Sequence, residues 1–120
     1  MRPRHFRAIT PPLYYLGISG DGDSASIGLG QFCHIVRRRI NMLYIVANNG
    51  TYGMTNGQLS ATADLGSKTK SGEESLYDNI DMATLAIELG ASFVARSFSG
   101  DILLRNRGQF KLSNCIRVAR

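Results

Sequence analysis

The 120 residues of this chain, 43% of them apolar and 19% charged, allow one compact folding unit and exclude the disordered and fibrous classes. A net charge of +5 raises the prospect of nucleic-acid binding, but the basic residues sit at both ends (Arg2, Arg4, Arg7; Arg105, Arg107, Lys111, Arg117, Arg120) and in one run (Arg37, Arg38, Arg39) with acidic residues between, so no phosphate-binding stripe and no nucleic-acid partner is expected. No apolar run reaches the roughly eighteen residues that span a bilayer, and the start, Met1 to Arg7, lacks the apolar stretch of a signal peptide, so no membrane partner and a cytoplasmic location are expected.

In chain order, Leu13 to Ser19 (LYYLGIS) is a short run rich in strand-forming residues, bounded by Pro11-Pro12 and Gly20, and reads as a buried strand. After the turn Gly20 to Ser24, the stretch Ser26 to Arg38 places Ile27, Phe32, Ile35 and Val36 near helical spacing, with Leu29 and Cys33 broadening that face and Ser24 or Ser26 as N-cap. The arginines that end this helix suit the negative pole of its dipole as a solvent-facing terminus and need no ligand. Met42 to Ala47 (MLYIVA) is a second strand, closed by the turn signal Asn48-Asn49-Gly50. Strand, helix and strand within residues 13–47 make a right-handed crossover of an α/β fold, in which ligands bind beyond the carboxyl ends of the parallel strands.

From Thr51 to Asp81 the chain is polar and rich in Gly, Ser, Thr and Lys, longer than an ordinary connection and therefore of functional interest. Asp81 to Leu89 starts with an N-cap residue and stops at Gly90, which predicts a helix. Ser92 to Phe98 (SFVARSF) is a third strand, and beyond Gly100 the pattern admits a helix over Asp101 to Arg107 and a final strand. Cys33 and Cys115 are too few and too far apart for a zinc or iron–sulfur ligand set, and Cys33 reads as a small buried hydrophobe. His34 falls inside the first helix, away from the turns, and reads as structural.

The two turns carry the chemistry. A diphosphate held through a divalent cation requires hard oxygen ligands and free backbone amides. Gly20 and Gly22 let the backbone approach a phosphate at the start of a helix, and Asp21 offers a carboxylate to Mg2+. At the end of the neighbouring strand, Asn48-Asn49 offers an amide oxygen and a following main-chain carbonyl. Each turn alone is as well read as a plain turn. Together, with a helix between them, they predict a cofactor site.

Gly20-Asp21-Gly22 with Asn48-Asn49 resembles the signature of thiamine-diphosphate enzymes. The longer run GDGDSASIGLGQFCHIVRRRINMLYIVANNGTYGMTNGQLSATADLGSKTKSG, with SFVARSFSGD further on, resembles the beta subunit of 2-oxoacid:ferredoxin oxidoreductases of the 2-oxoglutarate type. The likeness covers roughly Ile9 to Asp101 and rests most firmly on Tyr52 to Gln58 (YGMTNGQ). It implies an incomplete, mostly parallel, doubly wound sheet of the thiamine-diphosphate-binding fold, as one partial domain over residues 1–120 with its core at 9–101 and a divergent tail at 102–120.

The resemblance makes Asp21, the Asn49 side chain and the Thr51 carbonyl Mg2+ ligands, and puts Gly20, Gly22 and Asp23 against the diphosphate on one side and Gly53 and Met54 on the other. Asp23 has an equal alternative as a cap of the following helix. Close relatives often carry lysine at the position of Asn56, which the resemblance associates with the substrate carboxylate. The implied chemistry is oxidative decarboxylation of a 2-oxoacid to an acyl-coenzyme A, with electrons passed through iron–sulfur clusters to ferredoxin. No catalytic side chain is assigned, because the cofactor performs the bond breaking. The implied partners are an alpha subunit, ferredoxin, the 2-oxoacid and coenzyme A. Family members extend upstream with cluster cysteines, so a truncated subunit, inactive alone, is expected. A noncatalytic remnant that only pairs with other subunits, and a non-oxidative thiamine-dependent decarboxylase or synthase, are the alternatives.

Overall fold

A computed structural model describes residues 13–55, 57–98 and 114–118 of the chain. Strand β1 (Tyr15–Gly20) lies parallel to β2 (Met42–Ala47), in the register Leu16 to Leu43 and Ile18 to Ile45. The predicted crossover is therefore present, with the second strand at the bounds expected from its apolar run. Aromatic and β-branched residues favour this pleated pairing because their side chains pack well across strands. Two further strands, β5 (Phe93–Arg96) and β6 (Asn114–Val118), complete a sheet of order β1-β2-β6-β5, in which β6 runs antiparallel to both neighbours. The expected final strand thus exists and enters the middle of the sheet. The expected helix over Asp101 to Arg107 lies outside the described residues.

Between β1 and β2 the structure departs from a plain turn and helix. The chain leaves Gly20 directly into a π-helical turn, Gly22–Ile27, and α1 (Leu29–Arg37) begins after Gly28. Asp21 already has helical dihedrals, φ −67° and ψ −38°, so Gly20 to Ser24 is a strand-to-helix junction and not an open turn. Neither serine caps α1. Ser24 is buried inside the π-turn and shares hydrogen bonds with Ser19 Oγ (2.6 Å) and Tyr44 Oη (3.0 Å), while Ser26 Oγ accepts from the Ala61 amide at 2.9 Å. The wider π-turn also shifts the helical phase. Ile27, expected on the apolar face, is therefore 79% exposed.

The core gathers where α1 and α2 (Met82–Glu88) meet β2. Phe32 and Val36 from α1, Met82 and Ala86 from α2, Val46 and Ala25 form one buried cluster, with Leu29, Cys33, Ile35, Tyr44 and Val94 packed on its edge. The i, i+4 spacing of Phe32 and Val36, and of Met82 and Ala86, puts each pair on one helix face. Phe32 and Tyr44 make a tilted ring contact with centroids 5.8 Å apart. Cys33 is half-buried with a free thiol. The paired positions Leu16 and Ile18 lie on the sheet face away from this cluster and remain largely exposed. Among the described residues no helix is long and apolar enough to cross a membrane.

Asp81 caps α2 as its sequence suggests. Its side chain accepts from the Ala83 and Thr84 amides at 3.0 and 3.2 Å and from Thr84 Oγ1 at 2.7 Å, and it also pairs with Arg96 of β5. One carboxylate therefore both starts the helix and ties it to the sheet. Asp81→Ala is expected to lower stability by about 0.5–2 kcal/mol, the usual cost of a lost N-cap, as read from the urea midpoint. A midpoint unchanged from the parent would show the cap to be dispensable.

Candidate functional site

The site is assembled at the carboxyl ends of β1 and β2, as the crossover rule requires. Asp21 follows β1 and is 2% exposed. Its Oδ1 accepts from the Asn49 backbone amide at 3.3 Å, so the two turns picked out in the sequence do converge. The Asn48-Asn49-Gly50 turn is shaped by its own side chains. Asn48 Oδ1 accepts from the Gly50 amide and Asn49 Oδ1 from the Thr51 amide, both at 3.0 Å, the Asx geometry that asparagine favours. Gly50 has φ +72°, which glycine adopts without strain, and a Cβ there would lie 3.6 Å from Ala63 Cα.

The packing around Gly22 gives a further reason for glycine at this position. A Cβ at Gly22 would fall 2.4 Å from Tyr52 Cε1, and the Tyr52 hydroxyl donates to the Gly22 carbonyl at 3.1 Å. The space beside Gly22 is filled by an aromatic ring, and the hairpin that carries Tyr52 is thereby fastened to the junction after β1. That hairpin consists of β3 (Thr51–Tyr52) and β4 (Gln58–Leu59), two-residue strands inside the stretch expected to be one long connection. Gly53 and Met54 lie at its exposed turn, where Met54 is 99% exposed and a Cβ at Gly53 would meet open space. Asn56 lies outside the described residues.

Asp23 is exposed, and its carbonyl accepts from the Gly28 amide at 2.7 Å, so its backbone closes the π-turn and its side chain caps nothing. His34 is exposed on α1, with Nδ1 3.4 Å from Arg37 Nη2, remote from the turns in sequence and pointing to solvent. Two residues that local patterning passed over reach the centre. Ser60 and Thr62, buried just after β4, both donate to Asp21 Oδ2, Thr62 at 2.8 Å. Their only signal in the sequence is that they punctuate a polar stretch too long to be a simple connection.

The side-chain oxygens gathered here are the buried Asp21 carboxylate, the Asn48 amide oxygen and the Ser60 and Thr62 hydroxyls, with no cluster of His, Cys, Asp or Glu among the described residues. Such a set suits a hard cation such as Mg2+ far better than zinc or iron. A cavity of about 900 Å³ opens beside it, lined by Asn48, Asn49, Thr51, Thr62, Asp81 and Arg96 among others. It lies past the ends of β2 and β5, large enough for an organic ligand.

Comparison with known proteins identifies the family. The family model described as the thiamine pyrophosphate enzyme, C-terminal TPP binding domain, matches residues 10–106. A 2-oxoacid:ferredoxin oxidoreductase subunit beta of Saccharolobus solfataricus is 41% identical over 108 residues, covering 82% of this chain and 35% of that protein. A 2-oxoglutarate synthase subunit KorB of Archaeoglobus fulgidus is 47% identical over 90 residues, covering 72% and 33%. Among solved structures, the 2-oxoglutarate:ferredoxin oxidoreductase from Magnetococcus marinus, determined with 2-oxoglutarate, coenzyme A and succinyl-CoA bound, superposes with a TM-score of 0.63 at 34% identity, over 68% of this chain and 28% of that one. The chain spans about a third of the length of the curated relatives it matches. With a matching model over most of its length, an α/β fold with a parallel strand pair, and two converging strand-end turns, the chain belongs to the family of C-terminal thiamine-pyrophosphate-binding domains of thiamine pyrophosphate enzymes.

Proposed function

We propose that this chain forms the diphosphate- and Mg2+-binding part of the beta subunit of a 2-oxoacid:ferredoxin oxidoreductase, acting on a 2-oxoacid of the 2-oxoglutarate class. The observation that carries the reading is the hydrogen bond between the Asn49 amide and Asp21 Oδ1, which brings the two turns to one point. Asp21, the Asn49 side chain and the Thr51 carbonyl would hold the cation. The backbone around Gly20, Gly22 and Asp23, and the hairpin turn at Gly53 and Met54, would face the diphosphate. When bound, thiamine diphosphate supplies the electron sink for loss of carbon dioxide from the 2-oxoacid. The residues of this chain orient the cofactor and neutralise its diphosphate through the cation. In that assignment an alpha subunit completes the enzyme, coenzyme A takes the acyl group, and ferredoxin takes the electrons through iron–sulfur clusters to which Cys33 and Cys115 contribute no ligand set.

A ligand of the folded state must stabilise it, so the test is thermal. At a concentration one hundred times the dissociation constant, thiamine diphosphate with Mg2+ adds about 2.7 kcal/mol, a rise in melting temperature of roughly 10 °C for a domain of this size. Chelation of Mg2+ should return the melting curve to that of the free chain. A curve indifferent to cofactor and metal together would refute the assignment.

A further inference from the structure

Among the described residues, buried side-chain hydrogen bonds join segments far apart in sequence. Asp21, Ser60 and Thr62 are 2%, 6% and 7% exposed. Ser60 Oγ and Thr62 Oγ1 both bond to Asp21 Oδ2, and the two hydroxyl oxygens lie 2.8 Å from each other. Oδ1 of the same carboxylate meets the Asn49 amide at a longer 3.3 Å. The two carboxylate oxygens are thus unequal. Oδ2 has its acceptor capacity committed to hydroxyls, whereas Oδ1 holds one long bond and has lone-pair capacity left.

The Thr62 hydroxyl does more than fill a space. It also lies 2.8 Å from Asn48 Oδ1, the atom that shapes the second turn through the Gly50 amide. One hydroxyl carries one proton, so Thr62 can donate to Asp21 or to Asn48 but not to both at once. Ser60 gives its proton to Asp21, accepts from the Thr62 amide at 3.2 Å, and donates its own amide to the Gly50 carbonyl of the second turn at 3.0 Å. The segment after β4 therefore spans the carboxylate of one turn and the side-chain amide of the other.

We propose that Ser60 and Thr62 are positioning residues for the divalent cation: they fix the Asp21 carboxylate so that Oδ1 is the oxygen offered to the ion, and Thr62 holds the Asn48-Asn49 turn in step with it. Neither needs to touch the ion or the cofactor. This rests on the assignment of Asp21 as a cation ligand made above. Partners that hydrogen-bond a ligating carboxylate commonly govern metal affinity by about 10–100-fold.

The test measures the affinity of the full chain for Mg2+ by calorimetry with thiamine diphosphate present, and for Mn2+ by electron paramagnetic resonance, alongside melting curves without ligand. Thr62→Val keeps the shape and removes the hydroxyl, and Ser60→Ala removes the other donor. Each is expected to weaken cation binding about tenfold or more, while Thr62→Ser, which restores a hydroxyl, stays within about threefold of the parent. A purely structural role would shift the ligand-free melting curve and leave the folded protein's cation affinity alone, and that outcome overturns the proposal. Should Thr62→Val fail to fold, Ser60→Ala decides, and parent-like affinity there overturns it equally. Asp21→Ala separates the two levels. If it binds cation like the parent, the ligand assignment itself is wrong. If it loses binding while Thr62→Val and Ser60→Ala keep theirs, only the positioning role fails.

Discussion

Asp21→Ala is expected to abolish the Mg2+-dependent binding of thiamine diphosphate and to destabilise the chain even without ligand. Asp21 is buried, and its carboxylate accepts from Ser60, Thr62 and the Asn49 amide. Removing it takes away the carboxylate proposed for the cation and leaves those donors facing an apolar gap. The stability lost is about 1–3 kcal/mol for each donor that finds no substitute. Asp21→Asn separates the two effects, because the amide keeps the shape and can still hydrogen-bond to hydroxyls but lacks the charge. It should fold close to the parent and still bind Mg2+ at least tenfold more weakly, a ratio worth about 1.4 kcal/mol. Calorimetry with and without Mg2+ reads both variants. Cofactor binding by Asp21→Ala at the parent's affinity would mean that the cation is held elsewhere.

A second large effect on stability is expected at Phe32. Its ring is 2% exposed, lies in the cluster with Val36, Val46, Met82 and Ala86, and leans on Tyr44. Phe32→Ala removes a large buried ring from a core with few other large side chains, at a cost of about 3–5 kcal/mol. Against the roughly 5–15 kcal/mol that holds a domain together, this is a large share of the total. Phe32→Leu, closer in volume, should lose under about 2 kcal/mol. Urea unfolding followed by circular dichroism checks both. A loss below about 1 kcal/mol for the alanine variant would show that Phe32 is not a central packing residue.

Much of the frame was legible in local pattern because the relevant periods are short. The run MLYIVA gave the bounds of β2, and Asp81 with Gly90 bracketed α2, since a cap and a stop residue act within a turn of the residues they bound. The two turns were legible in composition, as Gly, Asp and Asn are the residues that tolerate tight backbone paths. Four features were not. The π-turn reads like ordinary helix, because its wider hydrogen-bond pattern leaves no mark in residue type. The β3–β4 hairpin is too short for an alternating pattern to develop. Ser60 and Thr62 act on Asp21 from 39 and 41 residues away, a pairing that periodicity within a window cannot register. The antiparallel entry of β6 belongs with these, for strand order is set by tertiary contact and not by strand propensity.

The interruption between the π-turn and α1 limits which residue can stand at position 28. Gly28 has φ −100°, an ordinary value, so backbone freedom is not what selects glycine there. A methyl group at that point would sit 2.6 Å from the carbonyl oxygen of Asp23. A Cβ at Gly30 would meet nothing within 4 Å, so the structure has room for a side chain there and none two residues earlier. At Gly28 even alanine would push against the backbone of Asp23 and Ser24. A glycine with no part in the proposed site is in this way held by the packing of the backbone alone.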